Sequence, residues 1–547
     1  MTRPGPGPGV SGWLAAAAPW LSLAVALFVL NAALGFRNRW PTPWPELPHG
    51  LSLEIALLVL LLAVAAERWG RPSRRWTAAL ALLLTLLALG HYAEVTAPAL
   101  YGRTINLFWD ARHLPGVVSM VAEAAPLHWA LAGALALLLA LGLIYALLYW
   151  ALAQVGRVLA EPLPRRSLAL LGGALASVYA VGLTSPRLDW EQRFTTPVTL
   201  TYARQAAFVL DALGQGTRTL PPSPPMDSDL GRVQGAQVVV LFAESYGAVT
   251  YDRPRLAAAL AASRADLAAA LTETDRWAVS ALVRSPTFGG NSWLAHASLL
   301  SGVEVREGGD YDLLLAQRRE TLVHRFARAG YRTVGVMPGL RQAWPEGAFY
   351  GFETLLDARA LDYRGPAMGW WRIPDQYSLA RLDSAELTAA DGRARFAVFA
   401  TINSHLPFRP RPPFQPDWSR LLGPAPFDAD RVAAARAAPI DFMDLGQPYA
   451  DSLDYLFRVL ASWLRQRPDM DLVLLLLGDH QPPAAVSGEG ATWEVPVHLI
   501  ASRAALREAL IAEGFVPGLA PRRPALGNLP DLTAIVLRAF DSQRPAR

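Results

Sequence analysis

The chain of 547 residues contains no cysteine. Disulfides, thiolate metal sites and a cysteine nucleophile are thereby excluded, and an oxidising compartment would leave the chain unharmed. Lysine is absent too, so all 50 basic residues are arginine, which removes Walker-type phosphate loops and Schiff-base chemistry. Charge is scarce: 18% of residues are charged and 52% are hydrophobic, a balance that excludes a disordered or fibrous chain. The net charge of +4 is also unevenly placed. Residues 1–186 hold 12 Arg against 7 acidic residues, whereas residues 187–547 hold 38 against 39. The polar half therefore lacks the basic stripe of a nucleic-acid binder, and no nucleic-acid partner is expected.

What the first third has instead is length without charge. Five apolar runs, at about 13–34, 50–66, 76–92, 127–152 and 167–183, each approach the ~20 residues that cross a bilayer, so residues 1–186 are expected to form a five-span transmembrane domain. Glu54, near one end of the second run, could reach the interface. Eight arginines (3, 68, 71, 74, 75, 157, 165 and 166) fall on one side of that arrangement and four (37, 39, 103 and 112) on the other. The positive-inside rule then makes the N-terminus cytoplasmic, and an odd number of spans puts everything after Leu183 outside. No cleavable signal peptide is expected. The outer segment with Tyr101, Arg103, Phe108, Trp109 and Trp129 reads either as interface anchoring or as a lipid headgroup contact. Residues 187–232 read as a connector ending in the extended spacer Pro221, Pro222, Pro224 and Pro225.

Beyond it, residues 233–540 alternate short apolar runs with amphipathic stretches, and 541–547 are a tail. Strands are expected at 237–243, 333–337, 396–402, 472–477 and 495–500, with helices at 320–329 and 452–466, which together predict an α/β domain with a mainly parallel sheet. Ligands in such folds bind beyond the carboxyl ends of strands. There the sequence runs into Glu244, His405 and the pair Asp479–His480. One acid at a strand end can be a helix cap, but two acids and two imidazoles at three strand ends suit one divalent metal ion, Mn²⁺ or Zn²⁺. Between them lies Ser285-Pro-Thr-Phe-Gly-Gly-Asn-Ser292, a glycine pair ahead of a hydroxyl residue at a helix start. That arrangement presents a nucleophile beside free backbone N–H groups, with Asn291 next to it.

These residues resemble the alkaline phosphatase/sulfatase superfamily, and most closely its lipoteichoic acid synthase branch. The sulfatase signature Cys/Ser-x-Pro-Ser-Arg-x-x-Leu-x-Thr-Gly is matched here by Ser292, Leu299, Ser301 and Gly302, while its Pro and Arg positions hold Leu294 and His296. The resemblance implies metal ligands Glu244, Ser292, Asp479 and His480, nucleophile Ser292, substrate-side His405, and a substrate-binding Trp344. The branch uses threonine as nucleophile, which leaves the placement open within Thr287–Ser292. It also implies the reaction: transfer of a phosphoalcohol group, phosphoglycerol first, from a membrane phospholipid donor to an envelope glycan or glycolipid acceptor through a phosphoserine. Alternatives are a phosphoethanolamine transferase, whose soluble domain usually carries disulfides that cannot form here, and a membrane-anchored phosphodiesterase or sulfatase-like hydrolase. Loss of the signature's Pro and Arg argues against a sulfate-ester hydrolase.

Other residues have plainer readings. His498 lies within a strand and is expected to be packed. His296, one turn after Ser292, either packs or touches substrate. Asp375 and Gln376, after Trp370 and Trp371, either bind a polar headgroup or form a solvated turn. Acceptor choice is assigned to the Pro- and Arg-rich loop 407–426, and the sequence carries no sign of an oligomeric state.

Overall fold

The computed structural model describes the chain apart from residues 1–9, 49, 117, 120–126, 185–192, 215–218, 370, 442 and 545–547, and gives the backbone alone for 10–17, 113 and 211. Arg3 and Trp370 thus lie outside the described residues. Two compact units emerge: Met1–Ala99 with Thr104–Gln215, and Leu100–Arg103 with Gly216–Arg547.

The first unit is helical: α1 (Val10–Gly35), α2 (Leu53–Trp69), α3 (Arg74–Tyr101), α4 (Leu127–Val158), α5 (Pro162–Thr184) and α6 (Val198–Leu213). Among the described residues, four helices (α1 over Ala18–Gly35, α3, α4 and α5) are long and apolar enough to cross a membrane. The second expected run forms α2, whose 17 residues reach only about 26 Å at ~1.5 Å each, against about 30 Å of hydrocarbon. Its start is tied down. Ser52 caps the helix by accepting the Ile55 N–H, and Glu54 accepts both the Ser52 hydroxyl at 2.9 Å and the Thr199 N–H at 3.1 Å. Glu54 therefore organises the start of α6 as well as α2. Gly172 of α5 lets the helices close up, since a Cβ there would come within 2.7 Å of the Ala56 carbonyl oxygen. In the loop after α3, Trp109 is buried and the Arg112 guanidinium lies 4.1 Å from its ring centre. The burial of this indole makes it a packing residue of the loop rather than an exposed interface anchor.

In the second unit an eight-stranded sheet comprises β1 (Gln237–Ala243), β2 (Trp277–Arg284), β3 (Arg332–Met337), β4 (Thr354–Asp357), β5 (Arg395–Ala400), β6 (Leu472–Gly478), β7 (Glu494–Ala501) and β8 (Val516–Pro517). Their spatial order is β8-β2-β7-β6-β1-β5-β3-β4. The run from β6 to β4 is parallel, while β7 pairs antiparallel with both β6 and β2, and β8 antiparallel with β2. Strand β1 shows why both faces must be covered: Val238, Val240 and Phe242 enter one core, and Val239, Leu241 and Ala243 enter the other. Each such Val or Leu contributes roughly 1.5–3 kcal/mol of burial. The helices that cover the faces include α7 (Ala261–Glu273), α8 (Ser292–Ser301), α9 (Leu322–Arg328), α10 (Asp375–Leu382) and α11 (Gly446–Gln466). In α11 the stripe Leu453, Leu456, Phe457, Leu460 and Leu464 is buried as its spacing requires.

Three strands escaped the pattern reading. Strand β2 has its apolar run broken by Ser280, which is fully buried because its hydroxyl meets the His498 ring nitrogen at 2.6 Å. Strands β4 and β8 are four and two residues long, too short for a period to register. The Pro-rich stretch also differs from a free-standing spacer. Arg319 donates to the carbonyls of Leu220 and Pro221, Arg325 to Ser228 and Arg328 to Met226. Gly302 makes room for Pro224, which a Cβ would meet at 2.4 Å. Residues 220–228 are therefore strapped along the second unit.

Candidate active site and metal centre

Parallel strands β1 and β6 run in register, with Ala243 opposite Gly478, so the next residues, Glu244 and Asp479, leave the sheet side by side. Two close approaches make this possible. A Cβ at Gly478 would strike the Tyr246 carbonyl oxygen at 1.8 Å, and one at Gly247 would strike the Gln481 Oε1 at 1.8 Å, so only glycine fits either position. Strand β2 delivers the third component. Ser285 donates its hydroxyl to the Asp479 carbonyl, Gly289 N–H donates to the Gln481 carbonyl, and the chain passes through Asn291 in the left-handed region (φ 62°) before α8 begins at Ser292.

Four side-chain donors meet there. Ser292 Oγ lies 2.9 Å from Glu244 Oε2 and 3.1 Å from His480 Nε2. His480 Nε2 is 3.4 Å from Glu244 Oε1 and 3.8 Å from Asp479 Oδ2. The ligand atoms of Glu244, Asp479 and His480 all fall within 4.8 Å of one another. Each is aimed by a second bond. His480 Nδ1 donates to the Gln481 carbonyl at 2.7 Å, which leaves Nε2 bare and facing the cluster. Asp479 Oδ1 accepts the N–H groups of Ser245 and His480 at 2.8 and 2.7 Å. Its other oxygen, Oδ2, is buried without a hydrogen-bond partner. Ser245 donates its hydroxyl to Glu244 Oε1 at 2.9 Å.

A buried oxygen left unpaired beside a second carboxylate is costly unless a cation sits between them. Burial first, and the Glu244 charge second, push the Asp479 carboxyl up to about 6. For His480, burial favours the neutral ring, but Asp479 and Glu244 outweigh it and raise the pKa. Three oxygens and one nitrogen converging in this way fit one divalent cation, and hard oxygens with an imidazole suit Mn²⁺ and Zn²⁺ alike.

The hydroxyls compete on unequal terms. Thr287 is buried and donates to the Gly290 carbonyl at 2.6 Å, so its hydroxyl closes the turn that presents Ser292. His405 follows β5 on the same edge, with Nδ1 on the Leu406 carbonyl at 2.8 Å and burial lowering its pKa. Trp371 packs against it edge-on, ring centres 4.6 Å apart. Trp344 is elsewhere: it stacks on Tyr350 at 5.4 Å, in an aromatic group that reaches Ser292's neighbour Trp293 through Tyr311. His296 lies against Phe242 at 4.2 Å with Nε2 unpartnered, and burial drops its pKa to about 4. His498 is packed between Tyr246 and Ser280, as its place inside a strand predicts.

The sequence missed Trp371 as the aromatic beside His405. It also misread Asp375 and Gln376, which are neither a solvated turn nor a headgroup contact: both are buried and spent on backbone groups. Local strain marks the same region. Of the seven non-glycine residues with positive φ among the described residues, Ser245, Asn291, Arg372 and Phe408 flank site residues.

No family model matches the chain, and no curated protein does. Solved structures do. The chain is similar to the integral membrane lipooligosaccharide phosphoethanolamine transferase EptA of Neisseria meningitidis (14% identity, TM-score 0.47, covering 89% of this chain and 87% of that one). It is also similar to the phosphoglycerol transferase GacH of Streptococcus pyogenes (12%, 0.38, 64% and 83%) and to the lipoteichoic acid synthase LtaP of Listeria monocytogenes (13%, 0.35, 54% and 71%). Another similar structure is described as an alkaline phosphatase superfamily protein from Vibrio parahaemolyticus. At such identities function has to be read from the site.

Proposed function

We propose that the chain is a metal-dependent transferase that takes a phosphoalcohol group, phosphoglycerol first, from a membrane phospholipid and passes it to an envelope glycan or glycolipid. The observation that carries this reading is Ser292 Oγ set between Glu244 Oε2 and His480 Nε2, with Asp479 Oδ2 unpaired beside them. A divalent ion bound there, Mn²⁺ or Zn²⁺, would favour the ionised serine and neutralise charge on the phosphoryl oxygens.

The chain's own residues do the rest. Ser292 Oγ forms an ester bond to phosphorus as the bond from phosphorus to the diacylglycerol oxygen breaks, and that oxygen leaves carrying a proton. In the second half-reaction an acceptor hydroxyl attacks the phosphoserine, gives up its proton and frees Ser292. His405, neutral by burial and with Nδ1 occupied, offers Nε2 as the proton carrier for both steps. Of the glycine pair, Gly289 spends its N–H on the Gln481 carbonyl, which leaves the backbone N–H groups of Gly290 and Asn291 ahead of α8 for the developing charge.

In this reading α2 is a short fifth span, the N-terminus is cytoplasmic and the catalytic unit faces outward from a bacterial inner membrane. A phosphatase reporter fused after Arg547 is then active and one fused after Arg75 silent; the reverse pattern removes the envelope reading. The reaction is tested with purified protein in phosphatidylglycerol liposomes. Diacylglycerol with phosphoglycerol retained on the protein or an added glycan supports transfer. Free glycerol phosphate in its place makes the protein a phosphodiesterase, and diacylglycerol released only from phosphatidylethanolamine makes ethanolamine the group carried.

A further inference from the structure

Helix α10 opens with two side chains that are almost wholly buried, Asp375 at 1% and Gln376 at 0% exposure. Neither serves its own helix. Asp375 Oδ1 accepts the Ile402 N–H and Oδ2 accepts the Asn403 N–H, both at 2.9 Å, and the Asp375 N–H donates to Asn403 Oδ1 at 2.7 Å. Three bonds thus pin two residues that lie far along the chain, each carboxylate oxygen used once.

The pinned residues belong to the turn Thr401–His405, which has a second set of attachments. Thr401 Oγ1 accepts the Glu244 N–H at 3.0 Å and donates to the Phe242 carbonyl at 3.1 Å. Ser404 donates to the Glu244 carbonyl at 2.6 Å. Between those two anchors the backbone has the N–H groups of Ile402 and Asn403 to satisfy, and Asp375 satisfies both. The turn ends on His405. Asp375 is therefore the buried group that locks the imidazole's turn against the strand end carrying Glu244.

We propose that Asp375 is a positioning residue that acts through His405, fixing the 402–405 turn so that the imidazole stays in register with Ser292 and the metal ligands. The inference rests on the reading of His405 as the proton carrier. Asparagine at 375 is nearly isosteric but has one oxygen, so one N–H of the turn would face an NH₂ group and the turn would shift. Gln376 is the matched comparison: its amide makes two buried bonds to the Gln415 backbone, at 2.7 and 2.9 Å, on the same helix, and holds a different loop.

The test uses the full-length, metal-loaded protein and a small chromogenic phosphodiester. Asp375→Asn should lower kcat about tenfold to hundredfold, the range set by misplacing a reacting group by an ångström or less, while KM, bound metal and the melting transition stay near those of the wild type. Combined with His405→Gln it should cost little more than His405→Gln alone, and Gln376→Ala should spare kcat. Asn403→Ala, which removes one bond of the three, should give a smaller loss in the same direction. Wild-type kcat in Asp375→Asn, losses that multiply in the double variant, or an equal loss in Gln376→Ala would each overturn the proposal. If the wild type binds metal but turns over no diester, the functional reading fails instead. The positioning claim is then judged by ¹⁵N-histidine NMR, where Asp375→Asn should move the His405 ring signals and an unmoved signal overturns it.

Discussion

The proposed metal end of the site and its proposed substrate side are built by different means. At the proposed metal end, Glu244 and the pair Asp479–His480 directly follow two parallel strands that run in register, and groups at those same strand ends aim them: His480 Nδ1 donates to the next carbonyl, and Asp479 Oδ1 accepts the N–H groups of His480 and of Ser245 on the neighbouring strand's exit. On the proposed substrate side, His405 rides a turn that depends on a carboxylate from helix α10, and Trp371 packs on its ring from a separate loop. Metal ligands must converge within fractions of an ångström, and strand ends supply that rigidity locally. The His405 turn reaches its placement through clamps between residues far apart in the chain. The comparison predicts that damage at the metal end is all-or-none and that damage on the substrate side is graded.

Ser292→Ala should show the largest effect. Removing a nucleophile that works as part of a unit costs up to ~10⁶ in kcat, and trapping of a phosphorylated enzyme during turnover should vanish with it. Thr287→Ala should be far milder, because that hydroxyl closes a turn. Wild-type turnover in Ser292→Ala would move the nucleophile to Thr287 and dissolve the distinction between the two ends. Asp479→Ala comes next: it deletes the unpaired Oδ2 and the acceptor of two backbone N–H groups at once. Metal affinity should fall by more than the ~10–100-fold typical of outer-shell changes. Full occupancy by elemental mass spectrometry after dialysis would defeat the assignment. His405→Gln should retain metal yet lose about 10²–10⁴ in kcat, the usual worth of a positioned proton carrier. A variant that lost metal and rate together would place His405 at the metal end.

The same division explains what could be read from sequence. Continuous apolar runs made β1, β5 and β6 legible, and Glu244, Asp479 and His480 could be picked out as candidates because each directly follows its strand; His405 lies five residues beyond Ala400, at the end of a turn that the sequence did not show. The glycine pair marked Ser292 through a similar nearness in the chain. Strand β2 was hidden by a buried serine whose partner, His498, lies on another strand. The Asp375 clamp joins residues 27 and 28 positions apart, and Trp371 meets His405 across 34 positions, so no local spacing could announce either. Four spans or five also turned on length: α2 stops at 17 residues, where an apolar count alone does not decide.

The smallest expected effect probes whether an arginine next in the chain to an apolar helix serves lipid substrates. A single helix would anchor a catalytic domain in practice, so several helices long and apolar enough to cross a membrane invite the proposal that segments next to them help hold a headgroup while its tails stay in the bilayer. Trp109, which the sequence offered as a contact, is a poor probe because it is buried under Arg112, and its loss would disturb packing first. Arg103 ends the short segment Leu100–Arg103, which follows the apolar run of α3 in the chain and belongs to the second unit. An arginine near an anionic surface is worth about 1 kcal/mol, or roughly fivefold. Arg103→Ala should therefore lower turnover of phosphatidylglycerol in liposomes by a few-fold, with the difference shrinking at high salt. Turnover of a small soluble phosphodiester should be unchanged. An equal loss on both substrates would mean that Arg103 supports the catalytic unit itself. No loss on either would leave lipid capture to the catalytic unit and favour hydrolysis of a soluble ester over transfer from phospholipid.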